Sequence, residues 1–597
     1  MVAVGTNAGG ATTTGHNITA IGYQALALNT TSSSSVAVGY NSLTNATNGP
    51  NTAVGSSSLE TLTTGYDNTA MGRNAGYAIT TAIRNTVVGE QALATNTTGH
   101  YNTAIGAYAL RYQQTGTRNT AVGYEAGKAI TTGAYNTFIG DRAGTSTTTA
   151  LNNTVVGSGA YNVATTGTNN VVMGQSALVQ CTTGSQNTAI GYQAANDLTT
   201  GGNNTVVGRM AMRSGVTSEQ NVVVGYNAMY NSTTGYQVAV GANTLFTNTT
   251  GVQNTAIGYS ALRDNTTASD GTAVGYESLS NNTTGAQNTA LGGYTLFDNT
   301  TGAYNVAIGR SAMENNTTGN ANVGIGQSAL YSATSAVYNV GIGQQSLNQT
   351  STGGQNVGVG YSTLQYYTAH DAVAIGAYAG QYATTGCNIS IGSQAGRNYT
   401  TGGNNVAIGV LSQHAGQTNT YNTSLGAYSL RYTTANNNTA LGAYAGHALS
   451  SGFSNVFIGR DSGLYQTTAS YNVGVGMSTL RNNVLGARNT AVGYDALYHS
   501  APSVVTDMHN TAMGFYAGKA STTGQQNTFI GSSAAQNNTT GSHNTAAGNF
   551  ALNANTTGSQ NTAIGNYTLM NSQTGEYNGG IVSAVISMQS TLWVRIS

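Results

Sequence analysis

The stretch TTGSQNTAIGYQA, Thr182–Ala194, decides how the chain is to be read, because variants of it recur from one end of the sequence to the other. Taking the glycine that closes each NTAIG-like word as a marker (Gly191 here), 34 markers run from Gly5 to Gly565. Of the 33 intervals between them, 27 are 17 residues long, five are 16 and one is 21. A strict period near 20 residues implies units that cannot bury their own apolar faces and must stack on neighbours, so the architecture is a solenoid.

The columns of the repeat give each rung its shape. Three residues before the marker every copy carries Thr, Val or Ile, as at Thr188 and Ile389, and one residue before it 33 of 34 carry Val, Ile, Leu or Met, with Ala547 the exception. β-Branched residues at alternate positions read as a strand, and the period of two puts both columns on one face, which is expected to line the core. The column between them (Ala189, Val155, Gly341, Phe138) carries no charge in any copy. On this reading it faces outward, a strand apolar on both faces needs a second covering surface, and another copy of the chain supplies it. Asn stands four residues before the marker in 28 copies. The pairs Asn187 with Gly191 and Asn254 with Gly258 are expected at positive-φ corners, with the amides stacked as a ladder and Ile190 and Ile257 packed inward. The third residue after the marker is Ala, Ser or Thr throughout and the fourth is usually Leu, a tight bend followed by a core plug. Thr-Thr-Gly closes about half the rungs as a turn, where the one-residue deletions are expected to fall. Helix competes poorly, because Gly, Asn and Thr oppose it in every repeat and no 3.6-residue period appears.

The expected fold is therefore all-β: a parallel β-roll of 34 rungs of 17 residues over 1–577, with a bulged loop at 494–513 and an apolar strand segment at 578–597 that caps the coil or contacts another subunit. Each rung is one strand, a bend, a shorter second strand or arc, and a loop. At about 4.8 Å per rung such a coil is a rod on the order of 160 Å long.

Composition removes several function classes. Charged residues are 6% of the chain, and 17 Lys and Arg balance 17 Asp and Glu, so there is no basic stripe for nucleic acid. The 39% apolar content with regular spacing argues against disorder. Cys181 and Cys387 are lone thiols that define neither a disulfide framework nor a metal quartet, and the eight His are dispersed.

The words YNVAIG (Tyr304–Gly309) and NNVAIG (Asn404–Gly409), each followed three places later by a small residue, resemble the head repeats of trimeric autotransporter adhesins of the YadA-like, haemagglutinin-repeat class, and similar repeats of phage tail fibres. The resemblance spans residues 1–577 and implies a left-handed parallel β-roll, three chains side by side, acting as an extracellular attachment rod. No heptad stalk, run of amphipathic anchor strands or signal peptide is visible, so the expectation is either a fragment or mature form or a virion protein assembled in the cytoplasm, the second of which favours a phage fibre.

Nothing in the pattern converges as catalytic or cofactor-binding chemistry. Glu125 and Asp141 stand about one turn apart, as a glycan-cutting pair requires, although solvated charges on a rod are the ordinary reading. Many of the 37 Tyr follow the marker, and Tyr124, Tyr192, Tyr226 and Tyr259 are candidate contacts for cell-surface glycans or a stripe that stiffens the rod. NTT triplets such as Asn96–Thr98 and Asn555–Thr557 have the N-glycosylation pattern. NNTVVG (Asn203–Gly208) also resembles plant ice-binding repeats, but a strand Thr column that faces inward leaves no flat Thr surface for ice.

The expected function is thus a non-enzymatic extracellular, cell-surface or virion fibre that partners itself, as a homotrimer or end to end, with no nucleic acid and no membrane insertion. A head-to-tail filament and an ice-binding solenoid are the alternatives.

Overall fold

Gly, Asn and Thr dominate each rung, and the described residues form short strands and turns with no helix. The structure, a computed structural model, describes residues 1–581; the remainder of the expected C-terminal strand, 582–597, lies outside them. The described chain divides into two compact units, Met1–Thr301 and a second from Gly302 onward. Each is a parallel β-solenoid.

In the first unit, 18 strands from Val2–Val4 to Thr289–Leu291 form one parallel sheet, one strand per rung. The register advances by one repeat at each step: Thr188, Ala189 and Ile190 stand beside Thr205, Val206 and Val207. The second unit carries 17 such strands, from Val306–Ile308 to Gly579–Ile581, and one extra pair of two-residue strands, Gly486–Ala487 with Thr506–Asp507. Sixteen-residue rungs keep the same alignment, as Val36 beside Thr52 and Leu43 N–H donating to Ser58 O show, so the missing residue comes out of the loop between the plug and the next strand.

Two expectations are corrected. First, the strand is turned over. The middle column is the buried one (Ala189, Val155, Phe138 and Gly341 all face inward), whereas Thr188, Ile190 and Ile257 face outward. The middle column, mostly Ala, Val and Gly, shares the interior with the plug, and the period of two sends its neighbours out. Second, Asn does not occupy the left-handed corners. Within one rung those are the residue before it (Gln186, φ 61°), the marker Gly191 (136°), and the second and fourth residues after the marker (Gln193, 55°; Ala195, 49°). Of the second strand or arc expected around the plug, the arc is what forms. Alternating left-handed residues bend the chain there, and its backbone still bonds rung to rung, as in Ala195 N–H to Ala211 O (2.9 Å) and Asp197 N–H to Arg213 O (2.9 Å).

Inside, side-chain sizes compensate between positions. Phe138 occupies a strand centre, and the plug positions of its own and the preceding rung are Gly144 and Gly127. A Cβ at Gly144 would lie 2.2 Å from the ring and one at Gly127 2.8 Å from it. Where the strand centre is Gly341 the plugs are Leu330 and Leu347. The same exchange recurs at Phe457 between Gly446 and Gly463.

Candidate functional surfaces

The ladder begins with the buried Asn column. Asn187 donates its N–H to Asn170 Oδ1 (2.9 Å) and its Nδ2 to Gly201 O (3.0 Å), while its Oδ1 accepts the N–H of Asn204 (3.1 Å). Asn254 donates Nδ2 to Ala268 O (2.9 Å) and accepts the Gly271 N–H (2.8 Å). Each side-chain amide thus satisfies a backbone N–H and a loop carbonyl of the following rung at once, which is what allows it to be buried. The markers need glycine for a different reason: a Cβ on Gly191 would stand 2.4 Å from the Gly208 carbonyl oxygen, and one on Gly258 2.3 Å from that of Gly275. A second Asn ladder, seven residues after the marker, was not anticipated. Asn265 donates to Asn248 Oδ1 (2.9 Å) and Asn282 to Asn265 Oδ1 (3.0 Å). Its signal is the Asn that precedes so many Thr-Thr-Gly turns. Asn96 and Asn555 belong to this buried column with their amides bonded inside, so the NTT triplets do not present glycan acceptors on the folded chain.

The sheet's outer face is a regular surface in each unit. In the first unit its outward rows are Thr in 13 of 18 strands and Val in the rest, paired with Val, Ile, Leu or Met in every strand. In the second unit the first seven strands, Val306–Ile308 to Val406–Ile408, carry Val or Ile in both rows, and Thr returns at Thr423. Neither outward row holds a charge among the described residues. Side chains on this face repeat at about 4.8 Å across strands and about 6.7 Å along each strand.

Beside it run the aromatic columns. Tyr23 stacks on Tyr40 (centroids 5.3 Å, planes 11° apart) and Tyr259 on Tyr276 (5.3 Å, 15°). The guanidinium of Arg209 lies between Tyr192 (5.7 Å) and Tyr226 (5.4 Å), and that of Arg142 stands 5.9 Å from the Tyr124 ring. Tyr124, Tyr192, Tyr226 and Tyr259 are each 40–46% exposed. Because ring faces are turned to the neighbouring rung, the columns offer edges and hydroxyls outward more than the flat faces on which a sugar would stack.

The remaining charge is mostly absorbed locally. Lys128 (2.7 Å) and then Arg142 (3.6 Å) hold the Glu125 carboxyl below its ordinary range, opposite to what a general acid needs, and Asp141 is exposed. No group of three His, Cys, Asp or Glu able to hold a metal occurs among the described residues. The 494–513 bulge is anchored by its strand pairing and by Arg488 to Asp507 (3.0 Å), leaving Val504 and Val505 exposed at its tip.

The structure therefore defines a member of the parallel β-solenoid class with an uncharged sheet face. No protein-family model matches the chain, and no curated protein matches it.

Proposed function

We propose that the chain is the repeat segment of a non-enzymatic extracellular fibre, of a virion or a cell surface, whose copies associate side by side through the outer face of the sheet. One observation carries the reading: rows of half-exposed Ile, Val, Leu and Met, without a single charge, line that face in both units. Isolated apolar residues on a surface are unremarkable, but a contiguous stripe of this length marks an association surface. The need for a covering copy survives the reversal of the strand, transferred from the middle column to its neighbours. Three copies around one axis is the arrangement implied by the resemblance to adhesin heads and tail fibres. Sedimentation of the native chain together with electron micrographs tests this, with discrete side-by-side trimers expected. Open-ended filaments would move the assembly to the coil ends, and a monomer at every concentration would overturn it.

The outward Thr column favours a second reading. With Thr52, Thr69, Thr86, Thr103, Thr120, Thr137 and Thr154 on seven consecutive strands, a regular Thr row faces solvent, as an ice-ordering surface requires. The neighbouring row of larger aliphatic residues speaks for association instead. Thermal hysteresis and ice recrystallisation assays separate the two, and activity in a monomeric chain would establish the ice reading over the fibre.

A further inference from the structure

The outer face is not uniform along the chain, and its most apolar stretch is in the second unit. From Val306–Ile308 to Val406–Ile408, seven consecutive strands present only Val and Ile outward. Tyr304 and Tyr338, next to the Asn column of the same rungs, are each 64% exposed. The first unit has no comparable stretch, because Thr interrupts its Val runs after at most two strands. We infer that residues 306–408 are the seam at which copies of this chain hold each other, with the Thr-rich rungs contributing a weaker, wetter contact. The inference rests on the self-association proposed above and assigns it a location.

Three observations point to a second copy as the occupant. The face repeats at one strand spacing of about 4.8 Å, a period that another copy of the same solenoid matches rung for rung. It is uncharged, so identical faces meet without like-charge repulsion. Its size also fits. Seven strands with a face about 10 Å wide amount to roughly 340 Å², within the range of the largest apolar patch of a typical monomer. All 17 strands of the unit amount to about 800 Å², the share one partner brings to a stable interface. A seam that begins in the aliphatic rungs and extends along the sheet reaches that area only by using the sheet's full length.

Sedimentation of the full chain tests the inference. Val340→Glu with Val357→Glu places two carboxylates on neighbouring seam strands, and Thr120→Glu with Thr137→Glu places the same two charges on neighbouring Thr-rich strands. Far-UV circular dichroism checks that both variants fold. The seam pair is expected to weaken self-association about 100-fold or more, and the Thr pair less than about tenfold. A chain carrying Val323→Thr, Val340→Thr, Val357→Thr and Val373→Thr keeps the strands intact, since Thr already stands in that column elsewhere, and is expected to loosen the assembly about tenfold or more. Equal sensitivity of the two Glu pairs, or an unaffected four-Thr variant, in a chain that still assembles, overturns the seam and leaves the fibre reading standing. A wild-type chain that stays monomeric overturns the assembly itself.

Discussion

At the residue scale, the marker Gly191 and the ladder Asn204 are each needed, for opposite reasons. Gly191 is needed because its φ of 136° and the Gly208 carbonyl 2.4 Å from any added Cβ leave no room for a side chain. Gly191→Ala is expected to cost about 1–3 kcal/mol from backbone conformation alone, with the clash in addition, read as a shift of the urea midpoint. Asn204 is needed for what its amide does: it bonds Asn187 Oδ1 (2.9 Å) and Ser218 O (2.9 Å). Asn204→Ala strands the Ser218 carbonyl and the Asn221 N–H of the following rung, while Asn187 Oδ1 keeps the backbone N–H of residue 204, and is expected to cost about 1–3 kcal/mol for each group left unpaired. The two cysteines also part at this scale. Burial pushes the Cys181 thiol up to about 12, whereas Cys387 is exposed. A chromogenic disulfide reagent near neutral pH should therefore titrate one thiol per folded chain and two after denaturation, and rapid reaction of both in the folded chain would contradict the buried placement.

At the element scale, each rung is a small packing problem solved by exchanging volume between the strand centre and the plug. Phe138→Ala is expected to cost about 3–5 kcal/mol, and Gly144→Leu alone should be poorly tolerated because its Cβ would meet the ring. Leu is compatible with that backbone, since Leu110 holds the equivalent place with φ 49°. The double variant Phe138→Ala/Gly144→Leu should accordingly be more stable than Gly144→Leu by about 2 kcal/mol, and additivity in the denaturation cycle would refute the coupling. The exchange is legible in the sequence: Phe138 and Phe457 both sit in strands whose own and preceding plug positions are Gly. What reading along the columns missed is that the two positions face each other, because they are six residues apart in one rung and eleven between rungs.

At the scale of the whole molecule, low charge and regular stacking set how the chain responds to its medium. With no charge on the sheet face, self-association should be insensitive to salt between about 0.1 and 1 M, where the screening length falls from about 10 to 3 Å. Marked weakening over that range would place charged groups at the contact. Acid should act on the second unit. His447 packs against Tyr428, Tyr432 and Tyr444, and burial, followed by the nearby Arg431, lowers its pKa from the ordinary 6.5. His414 is shifted in the same direction by burial, Arg397 and Arg431. Since the unfolded chain takes up these protons more readily, the stability they represent is present above pH 6.5 and declines as the pH falls below it. A urea midpoint lower at about pH 5.5 than at about pH 7.5, with the difference reduced by His447→Gln and further by adding His414→Gln, is the expected result.

The sequence by itself determined that this chain is a β-solenoid, the length of each rung, the Asn ladder and the inward Leu plug, because a period and its columns are written directly in residue order. Which side of each strand faces inward was decided only by the tertiary structure. Alternation places Thr188 and Ile190 together against Ala189 but does not say which set is inside when all are free of charge. The packing of the middle column against the plugs of its own and the preceding rung settles it. Only a neighbouring rung shows that Leu and Asn have already taken the interior, and that the branched columns must form the outer face.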